Sequence, residues 1–163
     1  MTKFAILTTD YTRARFFTLE TAEFPLIETS PQMVEHEVLL DPELRLPGRE
    51  LFSDLKSGRN RAPGGGPAHG YDDHRDQHLA ELEKRFVNEV ADETLRLMQE
   101  KKVDCLVVVA EEKMIGYLKT HLENAPAKTK WLAKDYSHFS AQEIHEKLAE
   151  QQLVPAPKKP AAS

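Results

Sequence analysis

The chain of 163 residues is the size of one ordinary domain and is long enough to bury a core without staples. With 40% apolar residues, 30% charged residues and a formal net charge of −5, it lacks the overall positive field that would draw it to nucleic acid or anionic lipid. Its single cysteine, Cys105, excludes an internal disulfide, and no apolar run is long enough to span a bilayer or to read as a signal segment, so a cytoplasmic protein is expected.

Phe4 to Thr8 reads as a short strand. Asp10-Tyr11-Thr12-Arg13 is a polar break, and Ala14 to Leu19 is a second run of aromatic and β-type residues. A strand pair joined by a tight turn is the simplest reading. Met33 to Leu40 alternates imperfectly, Val34, His36 and Val38 against Glu35 and Glu37, and is read as a third strand.

Residues 41–72 change character, with four prolines and six glycines. A loop of that length inside a compact domain is usually functional or disordered. A long helix follows, capped by Asp72 or Asp73. Leu79, Leu82, Phe86, Val90 and Leu97 recur along it at helical spacing, and it ends near Lys101-Lys102.

Val103 to Ala110 is nearly all apolar, the pattern of a central strand covered on both faces, and it places Cys105 as a buried, inert thiol. Ile115, Leu118 and Leu122 mark a second helix that stops before Pro126, and Lys128 to Ala133 is a last strand anchored by Trp131. Ser140-Ala141-Gln142-Glu143 is a capping box opening a third helix through Ile144 and Leu148. The predicted class is α/β: a mixed sheet of five to six strands with packed helices, in the order βββ-loop-αβαβα. One domain is expected over residues 1–150, with 151–163 as a disordered tail.

Four constellations carry chemistry. The loop is locally basic, with Arg45, Arg49, Lys56, Arg59 and Arg61 opposed by Glu50 and Asp54, and it contains Gly64, Gly65 and Gly66. Guanidinium groups on a glycine-rich arm suit phosphate, whereas a Walker-type loop would need Gly-Lys-Ser/Thr leading into a helix. His69, Asp72, Asp73, His74, Asp76 and His78 form a cluster in which His74 and His78 stand at i, i+4, but aspartates favour helix starts for dipole reasons alone, so no metal site is assigned. Asp135, Ser137 and His138 are sequence neighbours in a polar turn, and adjacency does not make a triad. Asp10 stands at a strand end, where a two-metal nuclease would gather several carboxylates; Asp104 lies at the opposite end of its strand, and a turn role for Asp10 is expected.

The stretch Thr9-Asp10-Tyr11-Thr12-Arg13-Ala14-Arg15-Phe16-Phe17 resembles the opening turn of the bacterial host-attachment proteins. Gly48-Arg49-Glu50-Leu51-Phe52-Ser53-Asp54, Val107-Val108-Val109-Ala110 and Asp135-Tyr136-Ser137-His138-Phe139-Ser140 are similar to that family too, so the resemblance runs over about residues 3–150. It departs at Glu111-Glu112, where the family more often has prolines. The resemblance implies a ribonuclease H-like fold, that of the middle domain of archaeal and eukaryotic peptide-release factors. In those factors a loop ahead of a long helix carries a Gly-Gly-Gln tip that hydrolyses peptidyl-tRNA. Here Gly64-Gly65-Gly66 stands in the equivalent place with Pro67 after it and no glutamine, so no release activity is expected.

The reading that follows is a non-catalytic factor without a cofactor, contacting ribosome or tRNA through the basic glycine-rich loop. The competing reading is a cytoplasmic protein-interaction module, a homodimer among its forms, with no nucleic-acid role.

Overall fold

The computed structural model describes residues 2–41 and 68–160. Strands β1 (Phe4–Thr9), β2 (Arg13–Glu20) and β3 (Gln32–Leu40) are followed by helix α1 (Ala68–Lys101), β4 (Cys105–Ala110), α2 (Glu112–Leu122), β5 (Lys128–Ala133) and α3 (Ala141–Glu150). The α/β class and the mixed sheet are as expected, with five strands among the described residues. Their order is β3-β2-β1-β4-β5. β1 pairs antiparallel with β2, as β2 does with β3, while β1, β4 and β5 run parallel.

β4 explains why the sheet needs helices on both sides. All six of its residues are buried, and alternation sends them to two cores. Leu106, Val108 and Ala110 join Leu7, Phe86, Val90, Met98, Met114 and Leu118 on the face covered by α1 and α2. Val107 and Val109 join Ile6, Phe17, Ile144 and Leu148 on the face covered by α3. Cys105 is buried as expected, and burial pushes its thiol up, against the opposing pull of Lys130 and Lys128.

The ends of the helices show how local sequence sets the path. α1 begins at Ala68, so Asp72 and Asp73 lie inside it and do not cap it as expected. At its other end Lys102 takes a left-handed φ of 53°, and the Val103 N–H donates to the Met98 carbonyl at 3.0 Å, with both side chains in the core. That is a Schellman ending with lysine where glycine is usual. The capping box of α3 is present in full: Ser140 accepts from the Glu143 N–H, and the Glu143 carboxylate accepts from the Ser140 N–H.

α3 also ends in a Schellman motif, with Gln152 at φ 60° and Leu153 N–H donating to the Leu148 carbonyl at 3.0 Å. The chain then runs back over the molecule. Val154 is buried, His145 Nε2 is 2.9 Å from the Pro155 carbonyl, and Ser30 and Lys158 exchange two backbone hydrogen bonds of 3.1 and 3.0 Å. Residues 151–160 therefore differ from the expected disordered tail: a buried histidine and one buried valine hold a segment in which residues 155–160 are all Pro, Ala or Lys.

Candidate functional site

Parallel strands β1, β4 and β5 all end on one side of the sheet, which is where open α/β sheets place their functional groups. Three connections meet there: the β1–β2 turn at Asp10, the β4–α2 junction at Glu111, and the β5–α3 segment from Lys134 to Ser140.

The turn is built on Asp10. Its Oδ1 accepts from the Thr12 N–H at 2.7 Å, the Thr12 hydroxyl at 2.7 Å and the Arg13 N–H at 2.8 Å. Thr9 closes the turn from the other side, its hydroxyl donating to the Arg13 carbonyl at 3.0 Å. Burial pushes the Asp10 carboxyl up, but the hydrogen bonds from Thr12, Arg13 and Ser137 outweigh it and hold the group below the ordinary aspartate range. The expected turn role is what these bonds perform.

The turn also reaches across to the β5–α3 segment. The Ser137 hydroxyl lies 3.1 Å from Asp10 Oδ2 and 2.6 Å from Asp135 Oδ1, which accepts from the Ser137 N–H too, at 3.1 Å. Beside it, Arg15 of β2 spends its guanidinium on both neighbours. Nε and Nη2 form a fork on the Glu35 carboxylate of β3 at 2.8 Å each, and Nη1 donates to the carbonyls of Ser137 (3.1 Å) and Phe139 (2.5 Å). The same group stands 5.1 Å from the Phe17 ring centroid. One arginine thus ties two strands to the loop over the strand ends.

On the opposite face, Tyr11 packs against the α1–α2 core, with its hydroxyl shut away from solvent and no well-formed hydrogen bond. Burial, and after it the carboxylates of Glu111 and Glu83, push this phenol well above the ordinary tyrosine range. Thr8 of β1 likewise has a fully buried hydroxyl without a partner among the described residues.

The structure therefore brings together Asp10, Asp135 and Ser137, but as a structural node. Ser137 is buried between two carboxylates, and His138 is exposed and makes no hydrogen bond to it, so the Ser-His-Asp order in sequence is not a triad in space. Among the described residues, no group of three His, Cys, Asp or Glu side chains is placed to hold a metal ion. His69, Asp72, Asp73, His74, Asp76 and His78 fall on the first turns of α1, with their side chains outside the described residues. The basic-loop residues Arg45, Arg49, Lys56, Arg59, Arg61, Gly64, Gly65 and Gly66 also lie outside them. Arg15 is the residue sequence reasoning passed over; an arginine set between Ala14 and Phe16 in β2 was the signal.

No helix among the described residues is long and apolar enough to cross a membrane. No curated protein matches the chain. The family model described as protein required for attachment to host cells matches residues 5–148, from β1 through most of α3, and the chain belongs to that family.

Proposed function

We propose that the protein is a non-catalytic factor that contacts ribosome or tRNA through its basic glycine-rich loop. The observation that supports it is one of placement. Arg45, Arg49, Lys56, Arg59 and Arg61, followed by Gly64-Gly65-Gly66, stand in the connection between edge strand β3 and the 34-residue helix α1. That is the position of the tip loop in the release-factor middle domains the chain resembles. Asp10, Arg15 and Ser137, near the ends of the parallel strands, are spent on bonds that hold the scaffold, which suits a domain presenting a binding arm. With no glutamine after the glycines, the arm has lost the group that positions water for peptidyl-tRNA hydrolysis.

The experiment is ribosome co-sedimentation through a sucrose gradient. Replacing Arg45, Arg49, Arg59 and Arg61 by alanine should abolish it, and rising salt should mimic the loss, because phosphate contacts release counterions. If the quadruple variant still co-sediments, or if the wild type never does, this reading fails. A release assay on stalled ribosomes should show no turnover above background.

A second reading follows from the family's description, attachment to host cells, and one surface feature favours it. In the β2–β3 connection Phe24, Leu26 and Ile27 are 54%, 71% and 69% exposed, an apolar knuckle of the kind that protein contacts bury. In that case the protein is an interaction module, and ribosome binding is absent from the outset.

A further inference from the structure

The two edges of the sheet carry opposite charge. β3 bears Glu35 and Glu37 and no lysine or arginine; β5 bears Lys128 and Lys130 and no acid, with Lys134 directly after it. Neither outer edge is paired with another strand among the described residues. On one face of the sheet the helices stand beside these edges. α1 sets Glu93 and Glu100, with Arg96 and Lys101 among them, beside Glu37, and α2 presents Lys119 over the Trp131 ring at 5.6 Å.

Some of these charges are already engaged. Glu35 is held by Arg15; Glu93 and Glu100 share Arg96; Lys130 Nζ is 3.4 Å from the Leu153 carbonyl. Glu37 lies close enough to Arg96 to feel its charge, while Lys119, Lys128 and Lys134 make no ion pair with any described residue. The acids nearest β5 are occupied as well: Asp104 accepts from the Lys3 N–H at 2.9 Å, and Asp135 accepts from Ser137.

Strand direction adds a geometric match. β3 is antiparallel to β2 and β2 to β1, so β3 points the same way as β1, β4 and β5. A second copy moved sideways, without being turned over, can lay its β3 along β5 as a parallel pair. The same movement brings Glu93 and Glu100 of its α1 toward Lys119 of α2, since both helices cover the same face. Like edges repel: β5 against β5 sets lysine on lysine, and β3 against β3 sets glutamate on glutamate.

We propose that this chain associates with itself head to tail, β3 of one copy extending the sheet at β5 of the next. The contact is heterologous, so it does not close at a dimer, and it adds copies in one direction. Each interface is small and rests on exposed charges, so association is weak and salt-sensitive. Lysines on an edge strand ordinarily keep it single, and here acids on the far edge supply their one complement.

The test is sedimentation equilibrium of the full chain over a wide concentration range at low and high salt. At low salt the weight-average mass should rise with concentration without levelling at a dimer. In 1 M salt, where charges are screened beyond about 3 Å, it should return to the monomer. Glu37→Lys reverses the one acid of β3 that Arg15 does not hold; Lys128→Glu with Lys134→Glu reverses two of the three lysines at β5. Each alone should lose about tenfold or more in association constant, and mixed in equal amounts they should regain it. Thermal melts of both variants establish that they are folded. A monomer at every concentration, a closed dimer, or association that ignores the charge reversals overturns the proposal.

Discussion

Ser137 and Asp10 are separated by 127 positions in the chain, yet the Ser137 hydroxyl lies 3.1 Å from Asp10 Oδ2. That contact joins the first turn of the sheet to the segment after its last strand. The hydroxyl has one proton to share between Asp10 and Asp135, so its role is to hold two acidic turns together.

Asp10→Asn should destabilise the protein by about 1–2 kcal/mol at neutral pH, since three of the hydrogen bonds on Oδ1 are stronger to a charged acceptor. The effect should depend on pH. The folded carboxyl is more acidic than the unfolded one, so its contribution is full above the ordinary value near 3.9 and fades as pH falls through the folded value. Thermal melts of wild type and variant should therefore converge as pH drops below about 4. A gap that stays constant down to pH 2 would show that Asp10 acts through packing alone.

Arg15 should be the more costly position. Alanine there removes a largely buried guanidinium, leaves the exposed Glu35 without its partner and frees the carbonyls of Ser137 and Phe139. About 1–3 kcal/mol is expected from urea unfolding, and Arg15→Lys should recover only part, because an ammonium cannot make the fork on Glu35. A lysine variant as stable as wild type would sink the fork as the source.

Val107→Asp should prevent folding. Val107 is fully buried in the middle of β4, facing Ile144 and Leu148 across the sheet's second face, and an aspartate there has no partner. A circular dichroism melt matching wild type would contradict the burial of β4.

What could be read from the sequence was whatever is encoded locally. The valine run of β4, the helical spacing of Phe86, Val90 and Leu97, and the Ser140–Glu143 box each state their structure within a few residues. The Asp10–Ser137 contact could not be read so, since nothing near either residue names the other. Arg15 was passed over because its partners are one side chain on β3 and two carbonyls after β5. The segment after α3 misled for a different reason. Its composition is that of an unstructured tail, and its order rests on one valine and one buried histidine supplied by an element already counted as finished.

That last point can be tested by cutting the chain after Leu153. The truncation removes Val154, leaves His145 Nε2 without the Pro155 carbonyl, and breaks the exchange between Ser30 and Lys158. Burial of a valine contributes about 1.5–3 kcal/mol and an orphaned buried donor costs about 1–3, so a loss of about 3 kcal/mol is expected after chain entropy is set against both. His145→Ala in the full chain should show a smaller loss. Combined with the truncation it should add less than the sum of the two, because both changes remove the same bond. If the truncated protein melts with the wild type, residues 154–163 contribute nothing to the fold, and the composition of the tail was the better guide to its behaviour.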